Sequence, residues 1–182
     1  MTDDAVVTAA KRGDQDAWRT LYRAHAGRLV VWLGTRSGTD SAVAAEDVAA
    51  QTWLTAAEKV ADYEGGADEF GAWLFGIARL VAANSRRRSG RRRTDPVAEL
   101  PGSEVDGPDA TIPDQVWVRD LLAGLSPRER DVVACVDVVG LSTADTARAL
   151  GMTQVAVRVA RHRAMRRLRA EARGALLAAT VA

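Results

Sequence analysis

Four of the five prolines, Pro96, Pro101, Pro108 and Pro113, fall between Thr94 and Gln115, in a stretch that holds six Asp/Glu and not one Lys or Arg. Proline offers no backbone donor and clashes with the preceding helical turn, so no long helix crosses such a stretch. Like charges and few apolar residues favour an extended tether. The 182 residues therefore divide into residues 1–93, an acidic linker over 94–115, and residues 116–182. The formal net charge of +1 hides this division. Residues 1–93 carry 14 Lys/Arg against 12 Asp/Glu, and residues 116–182 carry 11 against 6. Both flanking segments are basic, which points to a polyanionic partner.

Apolar spacing makes both segments helical. Phe70, Trp73, Leu74, Ile77 and Val81 recur on one helical face, and Trp18, Leu21, Tyr22, Leu29 and Leu33 on another, so most of these aromatics are expected in a core. Helices are predicted at about 3–12, 15–35, 41–61 and 69–88, then at about 114–124, 127–138, 143–150 and 154–173. No alternating pattern of strands interrupts them. The expected class is all-α, a helical bundle followed by a helix-turn-helix.

The second segment carries the sharper signal. Ser142 is placed to N-cap a short helix, with Asp145 adding favourable charge in its first turn. Gly151 permits a left-handed helix end, and Thr153 is placed to cap the next helix. Val157, Ala160, Ala164 and Leu168 would face a core, leaving Gln154, Val155, Arg158, Val159 and His162 on another face. Gln and Arg suit bidentate bonds to adenine and guanine edges, and Val suits a thymine methyl. Arg158, Arg161, Arg163, Arg166, Arg167, Arg169 and Arg173 stand against the single Glu171. Only the first turns of a recognition helix enter the groove, so arginines after about Arg163 are left to phosphate, a partner protein or solvent. A second cluster, six arginines between Arg86 and Arg93, fits either a phosphate backbone or a solubilising helix end.

Other classes are disfavoured. Cys135 is the sole cysteine, set among Val132, Val133 and Val136 as a buried thiol would be. With His25 and His162 as the only histidines, neither a metal site nor a cofactor is expected. Glu46 and Asp47 are adjacent, so on a helix they diverge by about 100° and do not form a metal clamp. No nucleophile–base pair or phosphate-cradling glycine loop is present, and no enzyme activity is expected. No apolar run reaches the roughly 20 residues that span a bilayer, and the expected location is the cytoplasm.

The ordered series of motifs resembles a family. Ala45-Glu46-Asp47-Val48-Ala49-Ala50-Gln51-Thr52-Trp53-Leu54 is similar to the polymerase-binding segment of bacterial sigma factors of the extracytoplasmic-function type. Phe70, Ala72-Trp73-Leu74 and Ile77-Ala78-Arg79, with the trailing arginines, resemble that family's promoter-melting and minus-ten-reading helix. Leu125-Ser126-Pro127-Arg128-Glu129-Arg130, Val139-Gly140-Leu141-Ser142 and Val157 to Ala164 resemble its minus-thirty-five-binding domain. Within the family the pattern resembles the mycobacterial sigma-D branch.

The resemblance implies a promoter-specificity subunit of RNA polymerase. It would place Glu46, Asp47 and Gln51 against the clamp helices of the polymerase largest subunit, with the flap as a further partner surface. The loop at Tyr63 would lie where an extruded minus-ten base is captured, and Arg79, Asn84, Arg86 and Arg87 would approach the opening strands. Gln154, Val155, Arg158, Val159 and His162 would read the minus-thirty-five element. A separate anti-sigma partner is implied, and no membrane contact. Leu80, Asn84 and Ala50 replace the family's usual asparagine, acid and glutamine, and Arg161 stands at a usually apolar position. An alternative is a free-standing regulator, because Ser126-Pro127-Arg128-Glu129-Arg130 also resembles LuxR-type DNA-binding modules. That family requires a receiver or ligand domain in the first half.

Overall fold

The structure, a computed structural model, describes residues 3–36, 41–92 and 113–181, with side chains over 4–36, 45–88 and 118–174. The described residues form α1 (Asp3–Lys11), α2 (Gln15–Gly34), α3 (Ser41–Lys59), α4 (Ala67–Arg92), α5 (Pro113–Ala123), α6 (Pro127–Val133), α7 (Thr143–Leu150) and α8 (Gln154–Val181). The fold is all-α, as expected, with no strand among the described residues. Three helix ends depart from the sequence reading. α4 runs on to Arg92, α8 runs on to Val181, and the helix expected over 127–138 becomes a π turn at Ala134–Val138. The Thr94–Gln115 stretch otherwise lies outside the described residues, apart from the start of α5.

In the first segment α2, α3 and α4 pack on one another, with α1 across them. Trp32, Phe70, Phe75, Leu29 and Leu74 are fully buried, and the Trp32 and Phe75 rings meet edge to face at 5.4 Å. Each such side chain contributes about 1.5–3 kcal/mol through burial. Asp14 caps α2 by accepting from the Ala17 N–H at 2.8 Å, and the Trp18 indole N–H donates to the Ala10 carbonyl, tying α2 to α1. Tyr22 departs from its expected core position. It is 54% exposed and leans on Trp53, because the apolar stripe of α2 is wider than the face its neighbours cover.

In the second segment α6, α7 and α8 enclose Val132, Val157, Ala164 and Cys135, all fully buried. Burial pushes the Cys135 thiol up to about 12, so it is an inert core group. Ser126 and Glu129 form a reciprocal capping box at the start of α6. The helix-turn-helix punctuation is as expected. Ser142 caps α7 through the Asp145 N–H at 3.0 Å, Gly151 ends it at φ 63°, and Thr153 caps α8 through the Ala156 N–H at 3.1 Å.

α4 and α7 hold the two segments together. At Gly76 no side chain separates them: an added Cβ would lie 3.9 Å from the Ala149 carbonyl oxygen. Polar contacts surround this seam. Arg36 pairs with Asp131 at 3.0 Å while stacking over the Trp32 ring, Arg28 donates to the Val139 carbonyl at 3.0 Å, and Arg148 pairs with Glu69 at 3.0 Å. Burial raises the Asp131 carboxyl above its usual range even though Arg36 pulls it down, so desolvation outweighs attraction in this pair.

Candidate nucleic-acid interface

α8 presents the clearest surface. Val157, Ala160 and Ala164 bury one side of it against α6 and α7. Gln154, Val155, Arg158, Val159 and His162 are all exposed on the remaining arc, with Val155 61% and Val159 44% exposed. Large exposed apolar groups beside Gln and Arg suit a surface that meets base edges rather than water alone. The later arginines diverge in use. Arg167 reaches back to the buried Glu129 at 2.9 Å, and Arg161 pairs with Asp137. Glu129 is held below its usual range, first by the Ser126 hydroxyl and then by the Ser126 N–H and the nearby arginines, so it stays charged to receive Arg167.

The arrangement on α4 is different. Asn84, Arg86 and Arg87 are exposed, whereas Arg79 is half-buried and donates through Nε to the Ala149 carbonyl at 3.2 Å, near the C-terminus of α7. A cation suits that position, where unpaired carbonyls accumulate. Tyr63 is only 5% exposed; its hydroxyl donates to the Gly66 carbonyl at 2.8 Å and its ring packs against Trp73 and Phe70. Burial pushes its phenol up to about 12. The Tyr63 ring thus shapes the loop from within, and a cavity of about 460 Å³ beside it is lined by Tyr63, Trp73, Arg79, Leu80 and Arg148.

On α3, Glu46, Asp47 and Gln51 are exposed. Helical spacing sets Leu54, 60% exposed, on the same arc as Asp47 and Gln51, a neighbour that sequence reading did not single out. An open groove of about 520 Å³ is lined by Trp18, Tyr22 and Trp53 together with Arg19 and Arg23. Its signal in the sequence is the i, i+4 pair Trp18 and Tyr22, whose spacing suggests a core stripe. Among the described residues no group of His, Cys, Asp and Glu is placed to hold a metal ion, and no helix is long and apolar enough to cross a membrane.

Residues 21–92 match the family Sigma-70 region 2, and residues 115–168 match Sigma-70, region 4. Those two regions in this order define the class, a sigma-70-type factor that acts in promoter recognition. The ECF RNA polymerase sigma factor SigD of Mycobacterium tuberculosis is 37% identical over 175 residues, covering 92% of this chain and 82% of that protein. In fold the chain is similar to CnrH, solved in complex with the cytosolic domain of CnrY, at a TM-score of 0.71 and 23% identity, covering 94% of this chain and 97% of the other. It is also similar to the sigma factor RpoE of Bartonella quintana, solved with the anti-sigma factor NepR, at 0.64 and 22% identity over 85% and 94%. The chain belongs to the extracytoplasmic-function family of sigma-70 factors. The LuxR-type alternative has no support, since the half that would need a receiver or ligand domain matches sigma region 2.

Proposed function

We propose that the chain divides its work by segment. Residues 1–93 engage core RNA polymerase and the minus-ten element, residues 94–115 act as a tether, and residues 116–182 read the minus-thirty-five element. Glu46, Asp47 and Gln51 grip the clamp helices of the largest subunit, and the second segment meets the flap. Gln154, Val155, Arg158, Val159 and His162 enter the major groove. Asn84, Arg86 and Arg87 track the opening strands from the helix that Arg79 fastens to α7, and Tyr63 shapes the pocket for an extruded base. The protein works in the cytoplasm without covalent chemistry of its own, and a separate anti-sigma protein restrains it, as NepR binds RpoE of Bartonella quintana.

The observation that carries this reading is the exposed α8 face, with its Gln, Arg and Val groups held opposite a buried Val157–Ala160–Ala164 side. Reconstitution with purified bacterial core RNA polymerase tests it. Co-elution, together with run-off start sites from a genomic promoter library that depend on this chain, is the expected result. Duplex binding without polymerase association would contradict it.

A further inference from the structure

Arg161 is set apart within the arginine ladder. Its guanidinium makes a forked pair with Asp137: Nε donates to Oδ1 at 3.1 Å and to Oδ2 at 3.0 Å, and Nη2 donates to Oδ1 at 2.5 Å. Asp137 lies 24 residues earlier, in the π turn Ala134–Val138. A π turn inserts a residue and re-aims the side chains that follow it. Here the wider turn is closed by the Val139 N–H on the Ala134 carbonyl at 2.9 Å, and it directs Asp137 onto α8.

Helical geometry gives this pair a purpose. At 100° per residue the buried side of α8, Val157, Ala160, Ala164 and Leu168, covers an arc of about 80°. Arg161 falls about 20° beyond one edge of that arc, and Arg167 about 20° beyond the other. One is tied to Asp137 and the other to Glu129, on two different parts of the second segment. Two ties on opposite flanks oppose rotation of α8 about its own axis in either direction. A roll of about 20° moves a side chain by about 2 Å at the helix surface, enough to break a base-edge hydrogen bond.

We propose that Asp137 is a positioning residue: through its forked pair with Arg161 it sets the roll of α8 and keeps that arginine off the DNA backbone. The proposal rests on α8 being the promoter-reading helix. Ala160, 8% exposed, supplies the packing beside Arg161, and Arg161 supplies the tie. The tie also divides the ladder, leaving Arg158 and His162 for DNA while Arg161 and Arg167 hold the helix that carries them.

The test uses the full chain and two duplexes, one carrying a start site recovered in the run-off assay and one scrambled at the same length. Affinity is followed by fluorescence anisotropy from 50 to 200 mM salt, with a thermal melt of each variant. Asp137→Asn is expected to lower the ratio of specific to scrambled affinity about threefold, the scale of one exposed but forked ion pair. It should also steepen the salt dependence by up to about 0.9 in log–log slope, because the released Arg161 gains a phosphate. Exchanging the charges in Asp137→Arg with Arg161→Glu should restore the ratio. A slope unchanged in Asp137→Asn but shallower by about 0.9 in Arg161→Ala would overturn the proposal, since Arg161 would then be a phosphate contact in the native protein. Failure of the exchanged pair to restore the ratio in a normally melting protein would overturn it as well. If the native chain shows no preference between the duplexes, the promoter-reading assignment fails, and the slopes alone still decide the tie.

Discussion

α4 and α8 both carry arginines that the proposed function sends to DNA, yet the first arginine of each series is presented differently. On α8 Arg158 faces solvent with the four other residues proposed to read DNA. On α4 the first of the series, Arg79, is spent on the Ala149 carbonyl of α7, and the neighbouring Tyr63 is sealed in an aromatic cluster. Composition does not separate the two surfaces. The difference is that the C-terminus of another helix lies within reach of α4, while the turns of α8 that carry its reading residues have only their apolar side covered. An arginine count therefore predicts attraction to DNA, and the packing of neighbouring helices decides which guanidinium is free to deliver it.

The junction of the two segments can be broken from Asp131, which ties α6 to Arg36 just past the end of α2. Asp131→Ala leaves the mostly buried Arg36 without its partner, and a loss of about 2–3 kcal/mol is expected in urea unfolding, below the full cost of a completely buried pair because both side chains keep some water contact. Hydrogen exchange should quicken in α4 and stay slow in the first turns of α8. A loss under about 0.5 kcal/mol would mean that the pair does not hold the junction.

A smaller effect sharpens the same boundary. His25 packs on Phe70, and burial, helped by Arg28, lowers its pKa from 6.5 to about 4. The folded protein thus takes up this proton less readily than the unfolded chain. The stability it confers is fully present above about pH 6.5 and is lost as the pH falls toward 4. The melting midpoint should drop over that window by several degrees more in the native chain than in His25→Gln. Parallel curves for the two proteins would mean that folding leaves the proton affinity of His25 unchanged.

Much of the fold was legible because its signals are local. Ser142, Gly151 and Thr153 each satisfy backbone groups within a few residues, and they did what their types dictate. The exposed face of α8 followed from helical spacing alone. What sequence spacing did not reveal depends on partners far along the chain. Tyr22 looked like core, but it only leans on Trp53 and stays 54% exposed. Tyr63 looked available, but Phe70 and Trp73 close over it. The Arg79–Ala149 and Arg161–Asp137 contacts bridge 70 and 24 residues, and neither has a local pattern to announce it.

Arg158→Ala bears most directly on the division between a polymerase-binding segment and a DNA-reading one. Arg158 is exposed on α8 and has no packing role in the core. Start-site-dependent run-off transcription should fall about ten- to a hundredfold, the scale of one lost base contact, while co-elution with core polymerase is unchanged. Equal loss of transcription and co-elution would contradict the assignment of α8 as the reading helix.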